Sequence, residues 1–425
     1  MINNYIDYID FSICYNEHIY NSKERRIHME YVLLNKDTPL LQFRIERHED
    51  VVNLTTLVHM DISDLTIIDN STLPINMQPT IKGLKNWLLQ RKIPNNRTFV
   101  ENLLDAISDT ENPYRYLDVT YGLSINDTFW VKPTHSTISW LDVNLYDNPF
   151  SEIVAGIAFT GEDSHIQGIV TTPEYTTNGM LRKCWHREND VIYLYKGSTP
   201  RYANGGLEAL SEVYASQIAA AMGLAHVEYK LTTFHDQLVS ACPLFTSEQV
   251  GYMPISSLLK ETISRDELML YDTQHNIASL YGIIPFSDMM VFDALIHNTD
   301  RHLNNFGVLI DNESNRILGP APLFDHGNSL FYNVTEDEYS DLDAVKDISF
   351  WGLSFDTLAK LYLHDSHRAM LTPLLGFKFN RIPSDILTDT KLDILESYIQ
   401  QRAAYFIRLL DEKYINFMHP NIPQQ

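Results

Sequence analysis

Apolar residues recur along this chain with two different periods, and the change from one to the other divides it. Near the N-terminus residues 31–34 and 40–45 read as strands, while Ile81–Leu89 and 99–107 carry helical spacing. Pro94 separates those two helical stretches, because proline lacks an amide proton and interrupts a helix. Between residues 151 and 245 β-branched and aromatic alternation dominates, around a single helix at 206–222 with Leu207, Leu210, Tyr214 and Ile218 in its apolar stripe. Beyond residue 246 helical spacing prevails. It ends in a long amphipathic stretch after Pro383 and Ser384, where Leu392, Leu395, Tyr398, Ile399, Phe406, Leu409 and Leu410 share a face. The pattern predicts an α+β chain in three parts: 1–150, a strand-rich lobe at 151–245 and a helical lobe at 246–425.

Composition narrows the class. With 425 residues, 44% hydrophobic and 20% charged, the chain can bury a full core, which excludes disorder and small disulfide scaffolds. Asp and Glu number 55 against 32 Lys and Arg, and the resulting formal charge of −23 makes direct nucleic-acid binding a poor expectation. The three cysteines, Cys14, Cys184 and Cys242, form no C-x-x-C pair, so buried thiols are expected rather than disulfides or a zinc site. The first twenty residues lack a basic-then-apolar signal, and no stretch reaches the roughly 18 apolar residues of a membrane span. A reducing, cytoplasmic setting without membrane contact is the expectation.

The most informative stretch is 291–310, an apolar helix running through a polar turn into a strand. Asp300 and Asn305 have the D-x-x-x-x-N spacing of a kinase catalytic loop, in which the Asp accepts the substrate hydroxyl proton and the Asn ligates magnesium. A second acidic turn follows at Phe324-Asp325-His326-Gly327, with Asp325 placed like the Asp of D-F-G. Residues 308–310 and 317–318 predict a hairpin over Asp311-Asn312, which brings Asn305 and Asp325 to one end of a ribbon. Two oxygen ligands there suit Mg²⁺.

A phosphotransferase also needs a cation for the nucleotide phosphates, and Lys196, at the end of the strand-like 191–197, is the candidate. On the following helix Glu212 lies off the apolar stripe, where it can pair with and orient that lysine; Glu208, one turn earlier, competes for the role. Neither G-x-G-x-x-G nor a P-loop motif occurs. The stretch 168–185 stands where a nucleotide-covering loop belongs, offering the hydroxyls of Thr171, Thr172, Thr176 and Thr177, backbone amides and Lys183. A polar hairpin tip is the alternative reading of that stretch.

Taken together, these residues resemble the HipA-like kinases, bacterial serine/threonine kinases distantly related to protein and phosphoinositide kinases. The resemblance covers residues 168–331 and rests on Ser211-Glu212-Val213-Tyr214 with Met222-Gly223-Leu224, on Asn298-Thr299-Asp300-Arg301-His302-Leu303-Asn304-Asn305, and on 321–328. It implies a two-lobed, protein-kinase-like α+β fold carrying an additional N-terminal α+β domain. It further implies ATP and Mg²⁺ as cofactors and a protein Ser/Thr hydroxyl as acceptor. By the same resemblance Asp300 is the catalytic base, Asn305 and Asp325 hold Mg²⁺, Lys196 contacts ATP and Glu212 steadies Lys196. Family members that phosphorylate their own phosphate-binding loop imply the same for 171–177, and toxin members imply an antitoxin-like partner. Residues 1–150, however, do not match the N-terminal region of the HipA toxins.

Two other functions compete: a kinase of a lipid or small-molecule hydroxyl, and a nucleotide-sensing module acting through its N-terminal domain. The acidic run Glu336, Asp337, Glu338, Asp341, Asp343 and Asp347 favours a basic peptide over an anionic head group where a substrate docks, a solvated loop being the plainer reading. Against the overall charge, Lys82, Lys85, Arg91, Lys92 and Arg97 form a basic stretch that reads as a solvated face or a contact for an acidic partner or DNA. Phe129, Trp130 and Trp140 are expected to pack the first domain against the kinase lobe.

Overall fold

Alternating inward residues build the first sheet. The computed structural model describes residues 28–52, 55–92, 112–161, 172–177, 181–199, 206–335 and 337–418. Strands β1 (His28–Asn35), β2 (Thr38–Val52), β3 (Thr55–Ile67) and β4 (Phe129–Pro133) form an antiparallel sheet in the order β3-β2-β1-β4. Tyr31, Leu33, Leu41, Phe43 and Ile45 bury against Leu84, Trp87 and Leu88 of the Ile81–Leu89 helix. That helix starts where Thr80 accepts the Gly83 amide, an ordinary N-cap. The expected 99–107 helix and Pro94 lie outside the described residues.

The second sheet is β5 (Lys183–Glu188), β6 (Val191–Gly197), β7 (Lys230–Phe234) and β8 (Gln237–Pro243), in the order β5-β6-β8-β7 and antiparallel throughout. Its two hairpins turn through Asn189-Asp190 and His235-Asp236, all four with positive φ, the type I′ geometry that matches strand twist. The Leu207–Met222 helix packs on β7 and β8. A second helix, Glu152–Thr160, corrects the expectation of a single helix in this part. It is apolar on nearly all sides, so it shows no amphipathic stripe: Val154, Ile157 and Ala158 join the core of the first sheet, while Ala155 and Phe159 join that of the second.

The third sheet, β9 (Val250–Pro254), β10 (Gly307–Asp311) and β11 (Ile317–Pro320), contains the expected hairpin, with Val308 opposite Pro320 and Ile310 opposite Ile317. Around it stand the Ile283–Ile296 helix, buried over most of its length, and the Asp389–Met418 helix, whose Leu392, Leu395, Ile399 and Phe406 are fully buried. Trp130 and Trp140 are core, packed with Ile192 of β6 and so joining the first sheet to the second. Cys184 and Cys242 are buried thiols outside any disulfide; burial pushes Cys242 up to about 12. Among the described residues no single helix is long and apolar enough to cross a membrane.

The basic stretch at 82–97 is largely consumed inside the fold. Lys85 pairs with Asp61 at 2.6 Å, Arg91 makes a two-pronged contact with Asp127 and is buried, and Lys92 sits over the Tyr114 and Tyr116 rings. Burial lowers the Lys92 pKa. Lys82 is exposed, and Arg97 lies outside the described residues.

Candidate active site

Lys196 ends β6 with its side chain 5% exposed, and a buried ammonium is tolerated only where anions meet it. Two do. Its Nζ lies 2.8 Å from Oε1 of Glu212 and 2.7 Å from Oδ1 of Asp325. Burial disfavours the charged lysine, but the Asp325 and Glu212 charges outweigh it and hold the pKa above the ordinary value. For Asp325, burial pulls upward and the charges of Lys196 and Lys183 pull further downward, so its carboxylate stays ionised. Burial raises the pKa of Glu212, with Lys196 opposing. Glu208 does not share this role: its Oε1 accepts the Thr199 amide at 3.3 Å.

Backbone geometry fixes Asp325. The residue has φ +60°, its amide donates to the Tyr229 hydroxyl at 3.0 Å, and the next amide, of His326, donates to Glu212 Oε2 at 3.0 Å. Glu212 therefore binds both the lysine and the acidic turn. Asp300 lies on the facing loop, where Asn298 accepts its amide and Asn328 donates to its Oδ2 at 3.1 Å. Burial raises the Asp300 pKa; His302 opposes this, and the charge of Asp325 adds to it. Asn305 spends its Nδ2 on the Asp300 carbonyl at 2.9 Å, which leaves Oδ1 as its ligand atom.

Arg301 clips the two loops together, a part that its spacing in the sequence does not mark. The guanidinium is 1% exposed and grips Asp293 through Nε and Nη2, both at 2.9 Å. Its remaining contacts reach the carbonyls of Asn305 at 2.9 Å and Phe324 at 2.6 Å, and His326 Nδ1 at 3.0 Å. One planar cation thus holds the end of the Ile283–Ile296 helix, the Asp300 loop and the Asp325 turn in one register. A signal existed: Asp293 is the one polar residue in the stretch 289–296, and a buried carboxylate requires a partner. Gly307 completes the geometry. A Cβ there falls 2.1 Å from the Met253 carbonyl oxygen, so β9 approaches β10 directly after Asn305 only because this residue has no side chain.

The covering loop is described in part. Lys183 is buried opposite Lys196 in the β5–β6 register. Thr172 is buried; Thr176 donates to the Leu123 carbonyl; Thr177 donates to the Pro173 carbonyl and accepts from the Trp185 indole. Thr171, with 168–170 and 178–180, lies outside the described residues. Lys196, Glu212, Asp325, Asp300 and Asn305 thus form one connected cluster, with Lys183 in electrostatic reach of Asp325, while the Thr176 and Thr177 hydroxyls bond backbone carbonyls and the buried Thr172 Oγ1 makes no hydrogen bond. The ligand atoms offered by Asn305 and Asp325 are hard oxygens, the donor chemistry that suits Mg²⁺.

No protein-family model matches the chain. Over 140 residues the sequence is 34% identical to the serine/threonine-protein kinase CtkA of Helicobacter pylori (strain J99), a match covering 31% of this chain and 42% of the relative. The chain thus spans less than half the length of that curated relative. Among solved structures it is similar to the HipA, HipB and operator DNA complex of the Shewanella oneidensis MR-1 toxin–antitoxin system, with TM-score 0.51 and 12% identity over 90% of this chain and 98% of that one. The crystal structure of the H. pylori proinflammatory kinase CtkA aligns with TM-score 0.41 and 21% identity, covering 56% and 95% of the two chains. By its fold the chain is thus similar to the HipA structure, and over 140 residues its sequence is similar to a serine/threonine-protein kinase.

Proposed function

We propose that the chain is an ATP- and Mg²⁺-dependent kinase that phosphorylates a serine or threonine of a protein. The observation that carries the reading is the cluster of buried Lys196 and Glu212 with half-buried Asp325, tied by Arg301 to the loop bearing Asp300 and Asn305. In this reading Lys196 binds the nucleotide phosphates, Glu212 keeps it in place, and Asn305 and Asp325 hold the metal. Bound Mg²⁺ supplies charge neutralisation on the phosphates. Asp300 accepts the proton of the acceptor hydroxyl as its oxygen attacks the γ-phosphorus, the phosphorus–oxygen bond to ADP breaks, and ADP leaves with that electron pair. The chain's share of catalysis is positioning and electrostatics.

The acidic segment after the Asp325 turn supports a basic protein substrate. Asp337, Glu338, Asp341 and Asp343 are exposed, whereas Tyr339 and Leu342 anchor the segment in the core. At its end Asp347 reaches His297 at 3.5 Å, and Phe350 lies 6.0 Å from the His302 ring, beside the catalytic loop. Glu336 lies outside the described residues. For self-phosphorylation, Thr176 and Thr177 are half-buried and Thr172 is buried, so the first two are the described acceptors needing least rearrangement. We assign 1–150 as an accessory domain, with kinase lobes at 151–245 and 246–425.

Purified protein incubated with γ-labelled ATP, Mg²⁺ and a basic Ser/Thr peptide tests the reading. Label should appear on hydroxyl side chains with the wild type and be lost in Asp300→Ala and Asp325→Ala. Undiminished transfer by either folded variant removes the assignment.

A further inference from the structure

A second polar cluster, sharing no residue with the candidate active site, converges beside the Ile283–Ile296 helix. Asp288 lies on the Ile283–Ile296 helix, His364 in the link after the Phe355–Tyr362 helix, and His367 at the start of the His367–Leu371 helix. Oxygen and ring-nitrogen atoms of the three all lie within 4.8 Å of one another. His367 Nε2 stands 3.0 Å from Asp288 Oδ1, and His364 Nε2 4.0 Å from the same oxygen. The His367 side chain is fully buried, with 0% exposure, yet its Nε2 and the facing Asp288 Oδ1 make no hydrogen bond. Both are buried atoms with no hydrogen-bond partner, an arrangement that is costly unless a proton or a cation joins them.

The other face of each ring is compatible with that role. The His364 amide donates to His367 Nδ1 at 3.0 Å, and the His364 carbonyl oxygen stands 3.2 Å from the same atom. A metal at Nε2 therefore displaces the ring proton, which can move to Nδ1 towards the His364 carbonyl, the arrangement usual for metal-bound histidine. His364 Nδ1 stands 2.8 Å from the Ser366 hydroxyl, which orients that ring in the same sense. Two ligands about 2.0–2.1 Å from a tetrahedral metal stand roughly 3.3 Å apart, between the 3.0 and 4.0 Å observed here. Beside the cluster, Ser287 donates to the Tyr362 carbonyl at 2.6 Å, so the two elements are already in register.

We propose that Asp288, His364 and His367 form a site for a divalent transition metal, Zn²⁺ in the first instance. Two imidazole nitrogens and one carboxylate oxygen are borderline donors that suit Zn²⁺, whereas Mg²⁺ takes all-oxygen surroundings. Asp288 is 22% and His364 34% exposed at the side chain, which gives the ion a path in and leaves its fourth position to water. The ion joins the helix that leads into the Asp300 loop to the link at 363–367. The site does not rest on the phosphotransfer reading, and its ligands are separate from Asn305 and Asp325.

The test uses the full, tag-free chain, stripped with a chelator and then titrated with Zn²⁺ or Co²⁺ alone. Metal content by mass spectrometry and the visible absorption of four-coordinate Co²⁺ should show one ion per chain, with a raised unfolding temperature. His364→Gln and Asp288→Asn, at partly exposed positions, should each weaken that binding by roughly tenfold or more. Asp325→Asn should leave this ion in place. Absence of stoichiometric binding at micromolar free Zn²⁺, or binding by the folded His364 and Asp288 variants equal to wild type, overturns the proposal.

Discussion

Replacing Arg301 with lysine keeps the charge and removes the fork, so it isolates what the planar guanidinium does. Arginine here makes five contacts: two to Asp293 and one each to the Asn305 carbonyl, the Phe324 carbonyl and His326 Nδ1. A lysine ammonium carries three donors on a single atom and cannot span partners distributed around a plane. At least two contacts are lost. At about 1.5–3 kcal/mol for each hydrogen bond to a charged group, Arg301→Lys should cost roughly 3–6 kcal/mol. Against the about 5–15 kcal/mol by which domains are stable, that is a large fraction. Urea unfolding of wild type and variant, followed by far-ultraviolet circular dichroism, measures it. The variant should also lose Mg²⁺-dependent ATP affinity under conditions where it remains folded, because the Asp300 loop and the Asp325 turn lose their shared donor. A loss below about 1 kcal/mol with unchanged affinity refutes the clip, since it lies well under the buried-contact range.

Three further outcomes follow from the same geometry. Glu212→Gln removes one anion from a buried ammonium and should cost about 3–5 kcal/mol, with a smaller combined cost than the sum when paired with Lys196→Met; simple additivity in chemical denaturation contradicts the coupling. Burial raises the Asp300 pKa, and a base must be ionised, so activity should fall as pH drops through that raised value. The acid limb of kcat/KM should lie above the ordinary carboxylate range and vanish with the residual activity of Asp300→Asn; a limb at or below about pH 4 speaks against the assignment. Converting Asp337, Asp341 and Asp343 to asparagine should raise KM for a basic peptide several-fold, with kcat and ATP affinity little changed, and equal KM values dismiss the docking role.

What the sequence made legible was chemistry with fixed spacing. Asp300 and Asn305 five residues apart, the hairpin over Asp311, and Lys196 on a strand followed by Glu212 on the next helix are relations between neighbouring elements, which spacing alone preserves. The contacts that lock the site are long-range. Arg301 meets Phe324 across 23 positions, Asp325 meets Lys196 across 129, and Tyr229 holds the Asp325 amide across 96. Periodicity carries no information on such pairs. It also misses the Glu152–Thr160 helix, because a helix buried on both sides has no polar face to mark its turn. The basic stretch misled for a related reason: Arg91 and Lys92 look like surface charge until Asp127 and two tyrosine rings fold over them. The His364–His367 pair, three residues apart, gains its meaning only when Asp288 arrives from another helix.

The central claim is that one cluster of residues takes the nucleotide and its metal. A crystal structure of the chain with a non-hydrolysable ATP analogue and Mg²⁺ tests it most directly. The expected result is nucleotide phosphate against Lys196 with Mg²⁺ ligated by Asn305 and Asp325. Density for the nucleotide elsewhere, or phosphates bound without contact to Lys196 and Asp325, contradicts the account.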